Sequence, residues 1–550
     1  MKKIKEFFNE EGKFNVKDAL VLTIIVVFYS ILSFINLGAT SNPNTFFEID
    51  SNAGLVIELK EKDTISKIKF YNGRNSGDYY LSISDDGETY NTAYVLRGHG
   101  AFQWDEGKFN KETKYIKLVP KDKSSLTLGE IALYNNGGEK ITTTITSNKD
   151  KIYSLSDEAS TIPKTISFYN SSYFDEIYFA RSAYEYVNGL QIYEWTHPPL
   201  GKLIQAIPIA ITGEMTQFNY RFMGNLAGIL MIVVMYLFAK DMFRKRKYSI
   251  FAALLMTFDT FHFAQTRLGT IDSFLVLFIL LSFFFMFKYC KYDKTRYVAL
   301  SGLFFSLSVA VKWTGLYAGL GLAIIYFVNK FSTKKKFIPA VGKGLLFFVL
   351  LPLIIYTSTY LLFPNLQSIK TNSVETIVEQ QKLMYDYHSN LSANHPFTSK
   401  WYTWPIGYKP VWFYTKEVTK TTSQTIASIP NILIWWPGII AILVLPYYII
   451  KKKNGKSLFL LVTILSLYLP FIFINRIMFI YHYFPVLPFL YLAITNFFYQ
   501  INKNSKKDWL MLAYMLLVII FFIVYYPIIS GTTVSNDYIE NTKLFDSWIY

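Results

Sequence analysis

Cysteine is almost missing. Cys290 is the only one in 550 residues, which excludes an internal disulfide framework. Histidine is scarce as well, with six residues, and none stands at the spacing of HExxH or of paired Cys-x-x-Cys sites. No cofactor or resident metal is therefore expected, with a divalent ion held by Asp and Glu as the alternative. Charge is thin too, at 17% of residues, and acidic residues are outnumbered 39 to 55 by Lys and Arg. The resulting +16 is not the footprint of a nucleic-acid binder. Much of it falls in short clusters between apolar runs, as in the cytoplasmic loops of membrane proteins.

What is abundant is apolar surface: 52% hydrophobic and 18% aromatic residues. Runs long enough to cross a hydrocarbon core of about 30 Å must be helical, because lipid offers the backbone no hydrogen-bond partner. Eleven spans are predicted, at about 18–37, 222–242, 248–264, 271–289, 297–312, 314–329, 343–363, 430–450, 457–475, 478–500 and 509–530. The first reads as a retained span rather than a cleaved signal, since no A-x-A-like site follows it. Basic clusters recur after every second crossing: Lys2, Lys3, Lys5 and Lys13; Arg244–Lys247; Lys288, Lys291, Lys294 and Arg296. Lys334–Lys336, Lys451–Lys453 and Lys503, Lys506 and Lys507 follow. This alternation predicts a multi-pass cell-membrane protein with a cytoplasmic N-terminus and an outer C-terminus.

Two long segments then fall outside. Residues 40–160 carry alternating strand patterns at Leu55–Leu59, Ile65–Tyr71, Tyr79–Ser84, Tyr115–Leu118 and Leu128–Tyr134, separated by Asn-Gly, Asp-Asp-Gly and Asn-Gly-Gly turns. This reads as an antiparallel all-β sandwich inserted between helices. The second segment, 365–428, concentrates Trp401, Tyr402, Trp404, Trp412, Phe413 and Tyr414. Such a cluster is either an interfacial aromatic belt or a platform for a sugar or lipid chain. The expected order is therefore 1–39 (N-terminus and first span), 40–160 (β domain) and 161–364 (catalytic membrane region). The outer loop 365–428 and a four-helix region 429–550 complete it.

Chemistry enters where charge is misplaced. Short outer loops should be poor in Lys and Arg, yet Arg267, Lys312 and Arg476 sit in three of them and Arg221 precedes the second span. Ionisable groups at membrane depth are costly and point to function; four cations on one face suit a phosphate or pyrophosphate headgroup. The plainer reading is loop-end anchors snorkelling to the interface. Opposite them stand Asp175 and Glu176, in FDEIYF, and Asp272. A carboxylate there suits removal of a proton from an acceptor hydroxyl while a cation stabilises the departing phosphate. His197 suits a loop cap as well as a substrate contact, and His262 reads as a packed residue.

Six segments, FDEIYFARSAYEYVNG…THPPLGK (174–202), YRFMGNLAG (220–228), AQTRLGTIDSFLVLF (264–278), AVKWTGLY (310–317), YDYHSNLSANHPFTSKWYTWPIGYKPVWFY (385–414) and FIYHYFPVLPFLYL (479–492), resemble the bacterial-type protein O-mannosyltransferase family (glycosyltransferase family 39). The resemblance implies the GT-C architecture and inverting transfer of mannose from a polyprenyl-phosphate carrier to Ser or Thr hydroxyls on the outer membrane face. It implies Asp175 as base with Glu176 beside it, and Arg221 at the donor phosphate. Arg267, Lys312 and Arg476 join that donor set, and Asp272 and Trp313 line the cavity. His197, His388, His395, Trp401, Trp404, Tyr481, His482 and Tyr483 are the remaining motif positions. The implied partners are the lipid-linked sugar, a protein or glycan acceptor and membrane lipid. The 40–160 segment separately resembles a discoidin or coagulation-factor C-type jelly roll, and its place before the acidic pair leaves the acceptor open. A GT-C enzyme glycosylating a lipid or envelope polymer is the nearest alternative. A lipid or sugar-phosphate flippase is further off, because no internal repeat is visible.

Overall fold

The computed structural model describes residues 11–148, 150–332, 337–361, 374–505 and 508–550. The basic residues Lys2, Lys3, Lys5, Lys334–Lys336, Lys506 and Lys507 lie outside the described residues, as do 362–363 of the seventh span and 365–373 of the expected outer loop. The chain divides into two compact units. One holds Asn188–Gln205, Phe222–Tyr550 and the N-terminal segment through Ile35; the other holds Asn36–Val187 and Ala206–Arg221.

The first unit is a helical membrane bundle. Among the described residues nine helices are long and apolar enough to cross a membrane: Val16–Phe34, Gln217–Phe243, Asp272–Tyr292, Trp313–Phe331, Ile338–Leu361, Ile432–Lys452, Gly455–Phe473, Ile480–Asn502 and Asp508–Ser530. The two other expected spans are shorter. Residues 297–312 correspond to the 17-residue helix Thr295–Val311. Residues 248–264 are broken into Arg246–Thr257 and Thr260–Thr266, because Asp259 stops the first piece and caps the second, accepting from the Phe261 N–H. The Asp259 carboxylate also takes the Trp435 indole N–H at 3.1 Å and the Tyr491 hydroxyl at 2.6 Å.

Helix faces follow the apolar pattern. Leu20, Ile24 and Ile31 on the first helix are each 60% exposed, an exposure that water would penalise and hydrocarbon does not. The opposite face is held by charge: Asp18 is fully buried against Arg246 at 3.0 Å, Lys240 at 3.1 Å and the Tyr236 hydroxyl at 2.8 Å. Small residues set the closest approaches. A Cβ on Gly228 would come within 2.7 Å of the Thr266 side chain, so the glycine lets Gln217–Phe243 lie against Thr260–Thr266.

The second unit is built on eight antiparallel strands: β1 (Phe47–Asp50), β2 (Leu55–Asn72), β3 (Tyr79–Ser84), β4 (Asn91–Leu96), β5 (Gln103–Pro120), β6 (Ser125–Asn135), β7 (Thr143–Ser147) and β8 (Asp150–Lys151). The sheet order is β1-β6-β2-β5-β3-β4, with β7 joined to β2 and β8. The strands expected at 55–59 and 65–71 are one 18-residue strand, irregular between Glu58 and Asp63 and again between Ile65 and Lys67. One half of β2 pairs with β7 and the other with β6, so the two layers of the expected sandwich are one hydrogen-bonded sheet bent at these irregularities. Alternation puts Ile57, Ile68, Phe70, Leu81, Ile116 and Leu133 into a single core. A second cluster packs Tyr71, Phe102 and Trp104 against Ala180, Ala183, Ile209 and Tyr220, which is why the unit extends beyond residue 160.

Candidate active site

The first unit gathers charged and aromatic side chains from five of the motifs. Gly201 allows the start of helix Leu200–Thr212 to sit against Ile271, where a Cβ would meet the side chain at 2.7 Å. Next to it, the buried Glu194 carboxylate accepts from Lys202 Nζ at 2.7 Å and from His197 Nδ1 at 2.9 Å. Burial drives the Glu194 carboxyl up, but Lys202 and His197 together outweigh it and hold the group well below the usual carboxylate range. Burial pushes the His197 ring down despite Glu194.

His388, from helix Val374–Asn390, lies with its ring centroid 5.6 Å from that of His197 and 6.0 Å from Trp313. Its Nε2 is 2.8 Å from the Thr196 carbonyl and its Nδ1 is 2.9 Å from Arg476 Nη1. A carbonyl only accepts and a guanidinium only donates. His388 is therefore neutral, with the proton on Nε2. Burial is the main reason its pKa is pushed down to about 4, with the neighbouring His197 and Arg476 charges adding to it.

Arg476 is half-buried, and its ordinary value is lowered by that burial. Among the described residues no carboxylate lies within ion-pair distance of it. Lys312 is paired with Asp272 at 2.9 Å, both largely buried, and its Nζ stands 5.6 Å from the centre of the Tyr481 ring. Tyr481 stacks on His482 at 4.9 Å and 20°, and His482 stacks on the fully buried Trp404 at 5.9 Å and 15°. Trp313 donates from Nε1 to the Tyr356 hydroxyl at 2.9 Å. Thus His197, Asp272, Lys312, Trp313, His388, Arg476, Tyr481, His482 and Trp404 form one connected set.

Other expected positions stand apart from it. His395 is exposed and packs edge-on against Phe479. Trp401 packs on Tyr402 and Tyr468, and Tyr483 is buried between Trp435 and Tyr468. His262 is packed, as expected, with Nδ1 3.2 Å from the Tyr29 hydroxyl. Arg267 donates to the carbonyls of Ser33 at 3.1 Å and Ile35 at 2.6 Å, closing the end of the first helix. Among the described residues no three His, Cys, Asp or Glu side chains are arranged to hold a metal ion.

The second unit corrects the reading of Arg221. All five of its N–H groups are committed: two to Glu176, at 2.7 Å each, and three to the carbonyls of Leu37, Phe168 and Ser171. The Tyr173 ring covers one face at 4.8 Å. A guanidinium used this way has no donor left for a phosphate. Its role is to knit the segments before and after the β domain, and Glu176 is its counter-ion. Asp175 is half-buried at the start of helix Glu176–Val187, following Phe174 in a left-handed conformation at φ 52°. A bulky residue held there is a local strain of the kind found at functional sites.

Two family models match the chain, both beyond the FDEIYF segment. Residues 196–356 match the model described as dolichyl-phosphate-mannose-protein mannosyltransferase, and residues 373–548 match the C-terminal four-transmembrane region of protein O-mannosyltransferase. The chain belongs to the protein O-mannosyltransferase family. Among curated relatives, the polyprenol-phosphate-mannose–protein mannosyltransferase of Mycolicibacterium smegmatis is 25% identical over 66% of this chain and 85% of its own length. The Mycobacterium tuberculosis protein of the same description is 22% identical over 66% and 84%. The fold is shared with a solved protein O-mannosyltransferase, the Saccharomyces cerevisiae Pmt1-Pmt2 complex bound to its sugar donor. That match has a TM-score of 0.62 at 12% identity, over 69% of this chain and 89% of the other.

Two site residues of this O-mannosyltransferase-family chain escaped the sequence reading: Glu194 and Lys202. Their signal was present, as a Glu three residues before His197 and the Lys closing HPPLGK. Asn225, in the 220–228 motif, was also passed over. Both its amide atoms are buried without a hydrogen-bond partner among the described residues, as are Gln265 Oε1, Thr270 Oγ1 and Ser273 Oγ around the 264–278 motif.

Proposed function

We propose that this protein transfers mannose from a polyprenyl-phosphate carrier to a Ser or Thr hydroxyl of a protein acceptor, on the outer face of the membrane and with inversion. The observation that carries the reading is Arg476, a half-buried cation whose recorded hydrogen bond is to a neutral imidazole. A buried charge without a counter-ion is unfavourable until an anion arrives, and a lipid phosphate supplies one. Lys312 adds a second cation, and the partly exposed Tyr481 ring lies beside it.

The displacement then runs in one step. The acceptor oxygen bonds to the anomeric carbon as the bond from that carbon to the phosphate oxygen breaks. The hydroxyl proton passes to a carboxylate base and the departing phosphate is met by a cation; each by its own motif, Asp175 is the candidate base and Arg476 the candidate cation. Asp175 is preferred to Glu176 because the latter is bound to Arg221 through both oxygens. The balance closes without a cofactor, and none is assigned. The motif-bearing loops and the C-terminus are assigned to the outer side and the N-terminus to the cytoplasm, on the distribution of basic residues.

The experiment is transfer from radiolabelled polyprenyl-phosphate-mannose by the purified protein, offered Ser/Thr peptides, a glycan and a lipid in parallel. Label on the peptide hydroxyls is the expected result. Label on the glycan or lipid alone would overturn the protein acceptor.

A further inference from the structure

The basic end of the helical bundle carries a site unrelated to the chemistry above. Helix Asp272–Tyr292 begins at the Lys312 partner and spans 21 residues, so its last turn lies about 30 Å from the catalytic cations at 1.5 Å per residue. That last turn borders two depressions that share Lys291.

The first is a groove of about 610 Å³, walled by Phe287, Ile324, Val328, Leu458, Phe459 and Val462 and edged by Lys291, Lys453 and Lys456. Its walls come from helices of membrane-spanning length and composition, and Ile324 and Val328 are both more than 40% exposed, so hydrocarbon is the medium that fills it. The second is a polar cup of about 230 Å³ lined by Lys13, Lys240, Arg244, Lys288 and Lys291 around one carboxylate, Asp241. Lys240 is matched by Asp18 at 3.1 Å. The other four cations share Asp241, which meets Lys288 at 3.3 Å and Lys291 at 3.5 Å. Among the described residues, four cations to one carboxylate leave an excess of positive charge beside an apolar slot.

We propose that this pair of depressions binds one anionic phospholipid, its phosphate in the cup and an acyl chain in the groove. The charge selects the headgroup, since basic pockets between membrane helices take anionic lipids. The groove selects a lipid over a soluble anion, because a free phosphate gains nothing from an apolar wall. Arg244 is held in a left-handed conformation at φ 63°, where the chain turns between Gln217–Phe243 and Arg246–Thr257, and this places its side chain on the rim of the cup.

The test is native mass spectrometry of the full chain, extracted in detergent and offered phosphatidylglycerol and phosphatidylcholine at equal concentration. The wild type is expected to retain phosphatidylglycerol about tenfold in excess. The double variant Lys13→Gln, Arg244→Gln should lower that retention about fivefold per charge removed. Both residues are exposed, so the variant should keep the wild-type Tm. Ile324→Trp, which fills the groove, should release the lipid with the cup intact. Equal retention of the two lipids, or retention unchanged in both variants, overturns the proposal. Displacement of phosphatidylglycerol by inorganic phosphate at equal concentration overturns it in favour of a soluble-anion site.

Discussion

Arg476 donates from Nη1 to Nδ1 of His388 at 2.9 Å, and this bond fixes His388 as a neutral ring carrying its proton on Nε2. The arrangement holds a cation in place without neutralising it. Replacing Arg476 by Ala should therefore weaken the lipid-phosphate donor by about tenfold to a hundredfold, the worth of a charge-assisted hydrogen bond of roughly 1.5–3 kcal/mol. KM for polyprenyl-phosphate-mannose should rise, and KM for the acceptor peptide should stay put. Equal rises in both would remove Arg476 from the donor site.

Arg221 should behave differently. Its loss leaves Glu176 buried without a counter-ion, a defect costing about 3–5 kcal/mol, and frees three carbonyls as well. Arg221→Ala is expected to lower Tm by many degrees or prevent accumulation in the membrane. A well-folded Arg221→Ala protein with a donor-binding defect alone would restore the phosphate role.

Asp175→Asn should leave folding intact and cut transfer by about 10²–10⁴-fold, the range of general-base assistance. Glu176→Gln, in contrast, should lower Tm, since it strips the charge from the partner of Arg221. Normal turnover by Asp175→Asn would exclude it as the base.

Acid should loosen the region around His388. Its folded pKa, about 4, lies below the ordinary value of about 6.5. The unfolded chain then binds more protons in that interval, so the stabilising contribution is whole above about pH 6.5 and is lost as pH falls toward 4. His388→Gln should show a shallower fall of Tm across that window. Parallel curves for the two proteins would contradict the assignment.

The β domain expressed alone as 40–160 should fold cooperatively, because its core from Ile49 to Leu155 is complete within those limits. It should also self-associate, since Tyr71, Phe102 and Trp104 lose the helical residues that cover them. Size-exclusion chromatography with a thermal melt measures both. A monomeric fragment would show that this face tolerates water.

Helices and strands were readable in the order of residues, because each depends on a local period. Apolar runs of about 20 residues have to be helical in lipid. Alternation marked 79–84 and 128–134 as strands, and turn residues separated them. The break at Asp259 escaped that reading, since a single capping carboxylate inside an apolar run acquires its meaning from Trp435 and Tyr491, more than 150 residues away. The same limit applies to the cations. Sequence presented Arg221, Arg267, Lys312 and Arg476 as four equivalent misplaced charges. Which of them is satisfied depends on carbonyls and carboxylates brought in from elsewhere: Glu176 and Leu37 for Arg221, Ser33 for Arg267, Asp272 for Lys312. Charge is a property of a residue, but its neutralisation is a property of its neighbours in space, and folding alone distinguished Arg476 from the rest.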